Sequence, residues 1–351
     1  MAGGIYRERA ARAGRARESG QAAVLLTVFL MSLLGVAGFA IDYGFWSVSR
    51  SQVQSAADAG ALAGASAIPG GSGTATALAL QQYGKNGLPA DAAQAVPSTD
   101  LTTNDSVTVT STRTVPTWFT GVFGIHSVNV SATARATIES FTSVNGLNVM
   151  PWGVLQGSYT PGQPYPIYTK DTANANNGAL SLPYVQSADC PVPSGANVYS
   201  DEIAGTTQVC PVSVGETLQT KPGDNSGKTA QGLNLRIPTW EPLDQIVQNQ
   251  PDGTVKLLDQ NSPQLVVIPV LTNPSGQSQW PNGTSSPMTV VGFAWFVITS
   301  CGDPANPSYC KTNDGKEVNG VFVTLDASPT IGTPGPYNPN SNTIYTIELT
   351  Q

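Results

Sequence analysis

Four cysteines are the residues of this chain whose type and spacing most directly imply chemistry. Cys190 and Cys210 form one local set, and Cys301 and Cys310 another. Three pairings are open; the two local bridges are favoured together because short loops close more readily. Four buried thiols are the alternative. No CxxC is present, and the single histidine leaves the usual Cys/His zinc patterns short of ligands. The expected chemistry is structural oxidation in an oxidising compartment, with no metal and no cofactor.

Other candidates are weaker. Asp201-Glu202, and Glu241 with Asp244, could serve as acid–base pairs only if folding brought them together; a solvated face is the simpler reading of each. GDNSGKT, residues 223–229, looks like a phosphate loop, but only three residues separate Gly223 from Gly227 where the motif needs four. Asp224-Asn225-Ser226 opens like a calcium loop, but no Glu closes it at the twelfth position. His126 reads as a turn residue with no Ser/Asp constellation near it. No catalytic residue is assigned, and the chain does not read as an enzyme.

The elements that would carry these residues begin with AAVLLTVFLMSLLGVAGFAI, residues 22–41, a run of 20 residues without a charge. At 1.5 Å per residue it spans roughly 30 Å, the thickness of a bilayer core. Five arginines against two glutamates precede it in residues 1–19, which leaves 11 basic and 21 acidic residues beyond. The positive-inside rule then puts the N-terminus in the cytoplasm and the bulk of the chain outside. An acidic body argues against nucleic acid as a partner. A cleaved signal peptide competes, because Gly38-Phe39-Ala40 is a small-x-small triplet, but the run exceeds the usual length of such a region.

No proline interrupts the chain from Gln21 to about Ala67, which predicts one helix of about 46 residues, roughly 70 Å long, ended by Pro69-Gly70-Gly71. In its outer half Ala56, Gly60 and Gly64 recur every four residues, a spacing that lets another backbone approach closely. The covering surface is either the protein's own head or a neighbouring subunit, so self-association through this helix is open. Arg50, Gln54 and Asp58 form an i, i+4, i+8 stripe in which both charged residues can hydrogen-bond Gln54, or which can key against a partner helix.

Beyond the helix, 74–86 reads as a short helix, and 106–115 and 127–138 alternate like strands. PTWFTGVFG, 116–124, reads as a short turn of helix with Trp118, Phe119, Val122 and Phe123 on an apolar face. Strand candidates follow at 149–156, 196–203, 264–271, 288–299, 318–326 and 343–350, with Asp252-Gly253 and Asp314-Gly315 as turn signals. Residues 232–237 could be a short helix or a strand. The expected class is α+β: a basic cytoplasmic segment (1–19), a transmembrane and extended helix (20–68), a small α+β unit (74–140), and a mostly-β extracytoplasmic head (145–351), sandwich- or barrel-like.

The segment Gly20–Ala67 resembles the N-terminal module of TadE/TadG-like proteins of the Tad (Flp) pilus machinery. The likeness rests on Gly20, the apolar span, Ile41-Asp42-Tyr43-Gly44, then Arg50, Gln54 and AADAGALAGA with Asp58 at the family spacing. The unit to Ile138, residues 212–237, and the VVGFAWFVIT and VNGVFV pieces are also similar to the family. The resemblance implies a single-pass, non-enzymatic component of the cell membrane whose partners are lipid and other Tad pilus or secretion components. Prepilin peptidase substrates carry Gly before the cut and Glu five residues after it. Gly20 and Gln21 mark such a position here, but the fifth residue is Leu25, so an uncleaved TadG-type anchor is expected. The alternative is a surface enzyme or carbohydrate-binding head that uses the module as a tether.

Overall fold

A computed structural model describes residues 4–145, 149–157, 159–160, 162–170, 178–182, 197–206, 210–249, 255–276, 279–281, 285–302, 310, 315–323, 331–338 and 344–350. The first element is a helix, α1, Gly4–Ser66, of 63 residues. It starts well before the apolar run, continuing back through the arginine-rich segment. A 3-10 turn at Ile68–Gly70 closes it, with Pro69 inside that turn.

Next come α2 (Ser72–Lys85), β1 (Ala93–Ser98), β2 (Ser106–Pro116) and β3 (Ser127–Val144). The three strands form an antiparallel meander, with β2 and β3 in register from Ser106↔Thr137 to Pro116↔Ser127. Of the residues that alternate in sequence, Val107, Val109 and Ser111 of β2, and Val130, Ala132, Ala134, Ala136 and Ile138 of β3, are buried together with Val115, while Arg113 and Val128 are only partly covered. Their buried face meets α1 and α2 in one core.

The remaining elements are β4 (Val154–Leu155), β5 (Pro164–Thr169), β6 (Leu180–Ser181), α3 (Val198–Ala204), β7 (Val212–Ser213), β8 (Thr217–Thr220), α4 (Ser226–Arg236), α5 (Leu243–Ile246), β9 (Val247–Asn249), β10 (Val255–Leu257), β11 (Leu265–Thr272), β12 (Pro287–Cys301), β13 (Glu317–Val323), β14 (Gly332–Gly335) and β15 (Tyr345–Thr350). The path β4-β11-β12-β13-β5, with β6 and β8 attached, makes the head's seven-stranded sheet. The class is α+β with a sheet-rich head. Both faces of β12 are covered, which is why it reads as an unbroken apolar run rather than an alternating one. Phe293, Trp295 and Val297 face one core, and Ala294, Phe296 and Ile298 face another, which includes Tyr199, Ile203 and Leu233 of α3 and α4.

Three expectations are corrected. The strand expected at 196–203 is not found among its described residues: from Val198 they are α3, because Tyr199 and Ile203 bury at helical spacing and Gly205, at φ 71°, terminates the helix in the left-handed region. Residues 149–156 supply only a two-residue strand and isolated bridges at Val149 and Trp152. The head does not keep all of 145–351 to itself: β14 and β15 return to pair with β3 in the first sheet, with Tyr345↔Ser140 through Thr350↔Arg135. Residues 232–237 prove helical, within α4 up to Arg236. Asp252-Gly253 and Asp314 lie outside the described residues.

Candidate functional site: the helix–hairpin junction

The residues that α1 buries form one stripe: Gly38, Asp42, Ser49, Val53, Ala56, Ala57, Gly60, Ala61, Gly64 and Ala65. Spacings of three, four and seven keep them on one side of the helix. Below the stripe the helix is bare. Every residue from Gln21 to Ile41 except Gly38 is exposed, and this helix is long and apolar enough to cross a membrane.

In the outer half the small residues receive the chain's own elements. A Cβ at Gly60 would lie 3.0 Å from the Ala79 carbonyl oxygen of α2. One at Gly64 would lie 2.9 Å from both Ala79 Cβ and Val107 Cγ1. Ala56 is fully buried in the same core. The question of what covers this row is therefore answered from within: α2 and the first sheet lie on it. A second copy of the chain cannot use the same face for self-association without displacing them.

Asp42, the residue that ends the apolar run, is the polar centre of the junction. Its side chain is fully buried. Oδ1 accepts the Trp118 N–H at 3.0 Å, and Oδ2 accepts the N–H groups of Phe119 at 3.0 Å and Thr120 at 2.7 Å and the Thr120 hydroxyl at 2.9 Å. These donors form the tip of the β2–β3 hairpin, where a 3-10 turn spans Thr120–Phe123 and Gly124 is left-handed at φ 82°. One turn lower, Phe119 lies across Gly38, where a Cβ would come within 2.8 Å of the ring. Gly38, the first residue of the Gly38-Phe39-Ala40 triplet, is thus a notch that receives Phe119. His126 closes the hairpin, its carbonyl accepting the Thr117 N–H at 3.1 Å.

The rest of the sequence motif spreads upward. Gly44 is exposed, and a Cβ there would meet nothing within 4 Å. Gln54 donates to Asp58 at 2.7 Å and to the Thr133 carbonyl of β3 at 3.3 Å. Arg50 takes no part in that bond, which corrects the expected symmetrical stripe: Gln54 turns toward the sheet and leaves Arg50 exposed. Arg50 instead lines a cleft of about 380 Å³ between α1 and β3, with Tyr43, Trp46, Ser47 and Val128–Ser131. Trp46 Nε1, buried, has no hydrogen-bond partner among the described residues. Gly20 and Gln21 lie within α1 without a break.

The match to known families falls on this same helix. Residues 20–67 match the family model described as "Putative Flp pilus-assembly TadE/G-like". This Tad segment ends where the 3-10 turn begins, so it covers the bare span, Asp42 and the small-residue row, but neither α2 nor the sheets. No curated protein and no solved structure matches the chain.

The head's candidates fall elsewhere. Cys301 and Cys310 are bridged, with Cα atoms 5.3 Å apart. Cys210 is also disulfide-bonded, and Cys190 lies outside the described residues. Among the described residues no group of three or more His, Cys, Asp or Glu side chains converges on a metal site. Asp224 bonds the Ser226 N–H at 3.0 Å and pairs with Lys170, so a carboxylate already closes the start of α4 where a phosphate would sit. Ser262 donates to Glu241 at 3.2 Å.

Glu202 is not on a solvated face. It is buried on α3, and burial pushes its carboxyl up to about 7, with Lys221 pulling down and Asp201 pushing up. A carboxyl raised above its ordinary 4.5 favours the fold at acid pH, and that contribution is lost as pH rises through about 7. Head stability should therefore fall by up to about 3 kcal/mol between roughly pH 4.5 and 7, at ~1.4 kcal/mol per unit. Glu202→Gln should flatten that slope in chemical denaturation; an unchanged slope would remove Glu202 as its source.

Proposed function

We propose that this chain is a non-catalytic, single-pass membrane component of a Tad/Flp-type pilus assembly or secretion system. Its N-terminus lies in the cytoplasm and its head outside the membrane. The observation that carries this reading is the dual use of the Tad segment: its lower half is a bare apolar span, and its upper half is the keel on which α2 and the first sheet are built. Among the described residues no break in α1 separates the bare span from the half that carries α2 and the first sheet. That layer is thus held at a set height and angle above the lipid, which suits a component that presents a surface to partners in an assembly. The disulfides suit an oxidising exterior, and the arginine-rich start suits the inner side.

Deleting the gene in its host should abolish pilus formation or secretion by the neighbouring Tad machinery. The full-length chain should restore it, and cross-linking in native membranes should trap other Tad components. Normal piliation and secretion in the deletion strain would remove the assembly role. Saturable hydrolysis or glycan binding by the intact protein, lost on changing one or two head carboxylates, would instead favour the tethered-enzyme alternative.

A further inference from the structure

Among the described residues, the β2–β3 hairpin tip is the most apolar exposed feature outside the span itself. Trp118 is 71% exposed, Val122 87% and Phe123 77%, with Phe119 and Ile125 about half exposed. Five large apolar side chains in eight residues of a turn are unusual on a water-facing surface. Between Arg113 and Arg135 the only ionisable side chain is His126.

Position gives this patch its meaning. Phe119 packs on Gly38, and Gly38 lies inside the apolar run that ends at Ile41. At 1.5 Å per residue, the tip reaches about 4.5 Å below the end of that run. It therefore lies beside the part of α1 that would already be in lipid. Around it the helix carries Phe39, Tyr43, Phe45 and Trp46, an aromatic collar of the kind that marks a membrane–water boundary.

The backbone is prepared for such a place. A loop can enter an apolar phase only if its own polar groups are satisfied. The N–H groups of Trp118, Phe119 and Thr120 go to the Asp42 carboxylate. Those of Thr117, Val122, Gly124 and Ile125 go to carbonyls within the hairpin, and the Thr117 hydroxyl donates to the Ile125 carbonyl. The turn thus presents apolar side chains outward while the N–H groups of Thr117–Thr120, Val122, Gly124 and Ile125 are bonded inward.

We infer that the hairpin tip Trp118–Ile125 is a second membrane anchor, inserted beside α1 into the leaflet on the head's side. The occupant of the patch is lipid, because the surface is continuous with the span. Two points of insertion fix the rotation of the helix and the tilt of the head, where a lone helix would leave both free. This inference rests on α1 crossing the bilayer.

The test uses the full-length protein in phosphatidylcholine–phosphatidylglycerol vesicles. A nitroxide is placed by Val122→Cys, Phe123→Cys, Leu30→Cys or Thr110→Cys, and its collisions with oxygen and with a water-soluble nickel chelate are compared. The oxygen-to-nickel ratio should be several-fold higher at 122 and 123 than at 110, and should approach that at 30. Tip labels that behave like position 110 while position 30 stays in lipid would overturn the insertion and leave the span standing. Tip labels shielded from both reagents would show a protein contact and overturn lipid as the occupant. Nickel access at position 30 would remove the span and the proposal together.

Discussion

Replacing Gly60 and Gly64 together by leucine should separate α1 from the layers built on it and cost about 4–6 kcal/mol, at the upper end of overpacking penalties for two sites. The added Cβ atoms alone come to 3.0 Å from Ala79 O at Gly60, and to 2.9 Å from Ala79 Cβ and 3.2 Å from Ala75 O at Gly64. Backbone atoms of α2 cannot swing aside as a flexible side chain can. Unfolding of the full-length protein in detergent, followed by near-UV signal or protease resistance, should show the first sheet destabilised while the helix keeps its length. Alanine at the same two positions should cost less. A double leucine variant with unchanged stability would mean that the small-residue row is not where α2 and the sheet dock. Where stability does fall, any loss of assembly in this variant follows from a damaged fold rather than from a lost subunit contact.

Asp42→Ala should produce the largest local effect. It removes the acceptor of four hydrogen bonds at once and leaves three backbone N–H groups and a hydroxyl without partners. Buried donors left unpaired are more costly than the net value of the bonds they made. The tip should lift from the helix, Phe119 should leave Gly38, and amide exchange across residues 117–125 should accelerate by orders of magnitude. Asp42→Asn, nearly the same shape, should cost less than Ala: with its carbonyl oxygen in the place of Oδ2 it still accepts from Phe119 and Thr120, and only the Trp118 N–H faces its NH₂ group. Thr120→Val should be mild, since the carboxylate keeps its three backbone donors. Unchanged exchange in the Asp42→Ala variant would show that the carboxylate does not hold the hairpin.

The strong features of this fold could be read locally. An uncharged run of bilayer length, an absence of proline to residue 67, and strict alternation in β2 and β3 each express a period or a length. Neighbouring residues set both. Where the period is short or mixed, reading fails: Val198–Ala204 has too few residues to tell alternation from helical spacing, and only the cover supplied by α4 decides it. Glu202 looked like surface because a charge pair on a polar stretch carries no sign of what will pack over it. The apolar residues of 116–124 were visible, but their exposure was not.

Sequence alone established that a long helix would carry a row of small residues and that Asp42 would stand at the end of its apolar half. Spacing along one helix is enough to put such residues on a common face. It could not say what would meet that face. Asp42 and Thr120 are 78 residues apart, and the last strand pairs with one some two hundred residues earlier. Contacts of that separation depend on how α2 and the β-meander fold back, and no local pattern encodes the return path. Only the tertiary structure decided that the helix's partner is the chain itself, and that its polar boundary residue bonds a loop instead of facing water.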